Sequence, residues 1–98
     1  MSRYALTSDA ERDLIDIYLQ GLETYGVKQA EDYQDILAAK LEMLSENPSF
    51  GADYGDLRAA LRRAETPAHS IYYHETDSGI LVLRILYKSM DPARHLQG

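Results

Sequence analysis

The sequence predicts an α+β fold: an antiparallel helix hairpin packed on a small antiparallel sheet of three to four strands, closed by a short C-terminal helix. Three observations predict it. Apolar residues recur at three-to-four spacing between Ala10 and Leu44, the spacing of helix faces. The period falls to two beyond "DYGD", as in strands, and "MDPARHL" places helix-starting residues at the end of the chain. At 98 residues the chain is read as one domain spanning residues 1–98, because a chain this short has material for a single core.

The elements follow in order. "RYAL" is a short extended segment with Tyr4 and Leu6 on one side, expected at most as an added edge strand. Ser8 followed by Glu11 reads as a capping box for the first helix. Ala10, Leu14, Ile17, Tyr18, Leu22 and Tyr25 then mark its apolar line, and Gly26 ends it. The second helix carries Ala30, Tyr33, Leu37, Leu41 and Leu44, with Ile36 and Met43 as a narrower second line. Pro48 in "ENPSFG" stops it, because the residue before a proline disfavours helix.

"LRAALRRAE", "HSIYYHE" and "ILVLRILYK" are read as three antiparallel strands, the last two joined by a tight turn at "TDSG". Strict alternation in the last strand puts Leu81, Leu83, Ile85 and Tyr87 on the face expected under the helices. Ile80, Val82, Arg84, Leu86 and Lys88 fall on the face left open. In the closing segment Asp91 is the expected cap and Pro92 the first helical residue.

Composition narrows the function. There is no cysteine, so disulfides and thiolate metal sites are excluded. The amino terminus has no apolar stretch of signal-peptide length and no eighteen apolar residues run together, so a soluble, cytoplasmic protein without membrane contact is expected. The net charge of −6 argues against a nucleic-acid platform. The charge is unevenly placed: Met1 to Asp56 holds four basic and twelve acidic residues, Leu57 to Gly98 six basic and four acidic. An anionic partner is therefore expected on the second half.

Chemistry-bearing motifs are few. His69 and His74 lie five positions apart, so on one strand they face opposite ways and do not share a metal. The six glycines form no phosphate loop, and no serine sits in a nucleophile elbow. No catalytic residue, metal or cofactor is assigned. The cations Arg62, Arg63 and Arg84 fall within strands, where each needs a carboxylate such as Asp16 or Glu42, or else a partner.

Four stretches in order, "YALTSDAERDLIDIY", "YGVKQAEDYQDILAAKLEMLSENPSFG", "DLRAALRRAETPAHSIYYHE" and "ILVLRILYKSMDPARHL", resemble the ParE-type toxins of the RelE/ParE toxin–antitoxin superfamily. The resemblance implies the same two-helix and sheet fold. It also implies a toxin that inhibits DNA gyrase without catalysing a reaction. A ParD-type antitoxin would neutralise it, and that antitoxin would supply the only link to operator DNA. On this reading Lys88, Met90, Asp91, Arg94 and His95 are the candidates for gyrase contact, and Arg58, Arg62 and Arg84 for antitoxin contact. The alternatives are a ribosome-dependent endoribonuclease like RelE, using Arg62, Arg84, Lys88, Tyr87 and His95, or an inactive homologue that only binds its antitoxin. The acidic balance favours the gyrase reading over the nuclease.

Overall fold

Thr7 turns the first strand into the first helix. In the structure, a computed structural model that describes residues 3–96, its side-chain oxygen accepts the Ala10 N–H at 3.1 Å. Its hydroxyl donates to the Leu83 carbonyl at 2.8 Å, and its own N–H donates to the Val82 carbonyl at 3.0 Å. Thr7 is thus the cap expected at Ser8, and the reason lies in tertiary structure: Thr7 alone reaches both the helix and the sheet. A cap of this kind contributes about 1 kcal/mol.

Strand β1 (Tyr4–Leu6) leads into α1 (Ser8–Tyr25) and α2 (Val27–Glu46). A single residue, Gly26, reverses the chain between the helices with φ 90° and ψ 175°, a conformation open to glycine. The helices approach closely enough that a Cβ on Gly21 would lie 3.3 Å from the Ala30 Cβ. After a 3-10 turn (Pro48–Phe50) come β2 (Ala52–Asp53), β3 (Arg62–Glu65), β4 (His69–Thr76) and β5 (Gly79–Tyr87), then a second 3-10 turn (Pro92–Arg94).

The sheet has five strands in the order β1-β5-β4-β3-β2. It is mixed, not wholly antiparallel as expected, because β1 pairs parallel with β5, Tyr4 opposite Ile80 and Leu6 opposite Val82. The hairpin crosses one face of the sheet between these two strands, which lets them run in the same direction. Gly79 makes the approach possible, since a Cβ there would lie 1.8 Å from the Arg3 carbonyl oxygen.

Helices and sheet enclose a core of Ala10, Ile17, Leu37, Leu41, Leu44, Ala64, Ile71, Tyr73, Ile80, Val82 and Ile85. Strict alternation along β5 fails at one point. Tyr72 pairs with Arg84 and Tyr73 with Val82, so Leu83 is an extra residue, a β-bulge that shifts the parity of the strand. Ile80, Val82 and Ile85 consequently face the helices, while Leu81, Leu83 and Leu86 face away. The predicted face of Leu81, Leu83, Ile85 and Tyr87 is split by that bulge.

The outer face is not open. Leu61, Tyr72, Leu83, Leu86 and Leu96 form a second cluster, flanked by Tyr54, Leu57 and Leu81. Most of "LRAALRRAE" is not strand. Turns close it, with Leu57 N–H donating to Tyr54 O and Leu61 N–H to Arg58 O, and they deliver Leu57 and Leu61 to this cluster. Burial of both leucines on one side of a loop outweighed the alternating pattern. Tyr25, expected on a core line, is exposed at the tip of the hairpin.

Candidate functional site

The segment after β5 is held at both ends. Lys88 N–H donates to the Ala68 carbonyl at 3.2 Å and Met90 N–H to the Tyr87 carbonyl at 3.0 Å, which turns the chain. The Asp91 carboxylate then accepts the Ala93 N–H at 3.0 Å, the expected cap, and Pro92 opens the 3-10 turn. Leu96, 2% exposed, plugs into the outer cluster and fixes the far end. Between these anchors Lys88, Met90, Asp91, Arg94 and His95 are all exposed. The five residues proposed from the sequence are therefore gathered on one short stretch of ordered surface.

Lys88 is partly committed. Its ammonium lies 3.3 Å from Glu65 Oε2, and the other oxygen of that carboxylate is 3.1 Å from Arg63 Nη2. Arg63 also places its guanidinium 4.5 Å over the Tyr54 ring, which stands edge-on to Tyr72 at 6.2 Å. Glu65 thereby links the terminal segment to the loop that covers the outer face.

The strand cations have internal partners. Arg84 grips Asp13 of α1 through two bonds, Nε to Oδ2 at 2.8 Å and Nη2 to Oδ1 at 2.9 Å. Asp13 also accepts the Ile85 N–H at 2.9 Å, so it closes the edge of β5 beyond the reach of β1. The hydrogen bond to Asp13, above all, holds the Arg84 guanidinium pKa above its ordinary value, against a smaller opposing effect of burial. Arg62 donates from Nη1 to the carbonyls of Gly51 at 2.8 Å and Ser49 at 3.3 Å. Arg58 is half-buried beside His74 and makes no ion pair among the described residues. Arg62 and Arg84 are therefore held by different partners, and Arg58 by no ion pair among the described residues.

Sequence reasoning named Asp16 or Glu42 for the Arg84 pair and missed Asp13. The signal was present: Asp13 falls at helical spacing with Ala10 and Ile17, the buried line of α1. His69 was also passed over. It is 3% exposed, and its Nδ1 lies 2.7 Å from the Tyr33 hydroxyl. Burial pulls its pKa below the ordinary value, partly opposed by the charge of Asp13. Among the described residues no group of His, Cys, Asp and Glu could hold a metal ion.

Comparison with known proteins places this arrangement. Residues 4–92 match the family model described as the ParE toxin of the type II toxin–antitoxin system parDE. Toxin ParE1 of Caulobacter vibrioides is 35% identical over 96 residues, covering 98% of this chain and 99% of that protein. Toxin ParE1 of Mycobacterium tuberculosis is 31% identical over 96 residues, covering 97% of this chain and 98% of that protein. A structure described as a chromosomal ParDE TA system from P. aeruginosa aligns with TM-score 0.73 at 21% identity, covering 89% of this chain and 96% of that one. At that identity the structural likeness bears on the fold.

Proposed function

The chain belongs to the ParE toxin family of type II toxin–antitoxin systems, and from that premise we propose that it inhibits DNA gyrase through its C-terminal segment. It acts by binding and not by catalysis, in the cytoplasm, and a ParD-type antitoxin neutralises it. One observation carries this reading: Lys88, Met90, Asp91, Arg94 and His95 are exposed together on a stretch anchored by the Asp91 cap and by Leu96. A pre-ordered surface of mixed polar and apolar side chains loses little entropy on docking. The acidic helix hairpin offers no comparable cation-bearing patch.

Arg58, Arg62 and Arg84 remain the proposed contacts for an acidic amphipathic segment of the antitoxin. Arg62 and Arg84 each use only part of their donors internally, so further hydrogen bonds are available to a carboxylate. A charge reversal at Arg58, whose side chain has no ion pair among the described residues, tests this with least disturbance to the fold. Unchanged antitoxin affinity would remove Arg58 from the interface.

The endoribonuclease reading draws less support. Arg62, Arg84, Lys88 and Tyr87 each carry an internal partner, Ser49 and Gly51, Asp13, Glu65 and Gln20 respectively. The deciding experiment is gyrase supercoiling run beside translation in a cell-free extract, with the wild-type chain and a Met90→Glu/Arg94→Glu variant. Supercoiling is inhibited by the wild type, relieved in the variant, and translation is untouched. Inhibited translation with normal supercoiling would overturn the proposal.

A further inference from the structure

At the Gly26 end of the hairpin, α1 and α2 stand away from β4 and β5 and leave a cleft of about 510 Å³ that Pro67 and Ala68 also line. Its size lies within the range of small-molecule sites, about 300–1,000 Å³. Its lining is uncharged throughout, in a chain of which 27% is Asp, Glu, Lys or Arg. Ile17 and Ala30 give it an apolar base, and its polar groups are amides, hydroxyls and one imidazole, among them Gln20, Gln29, Tyr87 and His69.

His69 is the group the fold leaves unfinished. Its Nε2 is buried and has no hydrogen-bond partner among the described residues, and an orphaned polar atom of this kind costs about 1–3 kcal/mol. The proton count around Tyr33 fixes what that atom offers. Ala68 N–H donates to the Tyr33 oxygen at 3.1 Å, and the Thr66 hydroxyl donates to the His69 carbonyl at 3.2 Å. The Tyr33 proton then has two acceptors in reach, Nδ1 of His69 at 2.7 Å and Thr66 Oγ1 at 2.9 Å. Assigned to the shorter contact, it leaves the neutral ring carrying its own proton on Nε2, a donor. The Tyr87 ring lies against the imidazole at 4.3 Å between centroids and is tethered by one bond from its hydroxyl to exposed Gln20. Both rings line the cleft.

We propose that this cleft binds a small, uncharged, flat molecule carrying a hydrogen-bond acceptor, a carbonyl oxygen or a ring nitrogen, which takes the Nε2 proton of His69 and packs against Tyr87. A charged ligand is disfavoured because no opposite charge lines the cleft to offset its desolvation. The site is separate from the C-terminal segment, and the proposal stands whether or not the chain acts on gyrase.

The test is a titration of the full chain followed by ¹⁵N NMR of the histidine rings, with benzamide as the probe and benzoate and benzamidinium as charged counterparts of the same shape. Benzamide shifts the Nε2 resonance of His69 saturably and binds about tenfold or more tightly than either ion. His69→Phe abolishes the preference. Gln29→Trp, at an exposed helix position on the wall of the cleft, weakens benzamide by a similar factor in a chain whose circular dichroism is unchanged. No saturable shift with benzamide, equal binding of the ions, or full binding by Gln29→Trp would each overturn the proposal.

Discussion

Asp13→Ala should destabilise the protein more than Arg84→Ala, although the two residues form one ion pair. Asp13 receives three hydrogen bonds, two from Arg84 and one from the Ile85 amide, and its side chain is 12% exposed. Its removal leaves a backbone N–H at the β5 edge and a guanidinium, 22% exposed, without an acceptor. Removing one member of a fully buried pair costs about 3–5 kcal/mol, and partial solvent access brings this one to about 2–3 kcal/mol. Arg84→Ala still leaves Asp13 bonded to Ile85, so its cost is about 1–2 kcal/mol. Urea denaturation followed by circular dichroism measures both, and the double mutant gives the coupling, about 1–2 kcal/mol. On heating, the Asp13 variant should melt about 10–20 °C below the wild type, at about 4–8 °C per kcal/mol for a domain of this size. An Arg84→Ala cost equal to or above that of Asp13→Ala would refute the claim that Asp13 serves the sheet edge as well as the cation.

Three further outcomes are expected. Tyr73 is fully buried and its hydroxyl joins the Gly51 N–H at 2.8 Å to the Pro48 carbonyl at 2.7 Å, so Tyr73→Phe orphans both groups and should cost about 2–4 kcal/mol in urea. Gly79→Ala puts a methyl group into the Arg3 carbonyl and should detach β1; hydrogen exchange at the Ile80 amide, which now donates to that carbonyl at 3.1 Å, should then rise toward unprotected rates, and retained protection would show that the strand tolerates the change. Burial lowers the native pKa of His69, and burial with the charge of Arg58 lowers that of His74, from 6.5. The unfolded chain therefore binds more protons than the native one just below pH 6.5, so stability is full above that pH and falls as pH drops through it toward the native values. The slope is at most about 1.4 kcal/mol per pH unit per histidine, and His69→Phe should remove its share from urea midpoints measured between pH 5 and pH 8.

The helices were legible because their signals are local. Ala10 and Ile17, then Ala30, Leu37, Leu41 and Leu44, are buried where a 3.6 period puts them. The features missed were all decided at long range. Thr7 displaced Ser8 as cap through bonds to a strand more than seventy residues away. The extra residue at Leu83 exists only relative to the register of β4, and no pattern within β5 announces it. Leu57 and Leu61 satisfied an alternating template in sequence and a looped chain in space, because both routes bury the same two side chains. The exposed terminal stretch was legible, since Asp91-Pro92 states its own turn chemistry, whereas the anchoring by Leu96 depended on an outer cluster the sequence did not disclose.

The pairing of β1 with β5 bears on when this molecule comes into being. The hairpin's packing surface includes Ile71, Ile80, Val82 and Ile85, and β5, the strand that joins β1 to β4, is the last strand translated. A ribosome that has made the first half of the chain has produced two amphipathic helices with nothing to bury against. The wait favours slow, late folding. It also means that the stretch from Lys88 to Leu96, anchored by Leu96 in the outer cluster, takes shape only with the strand that completes the scaffold.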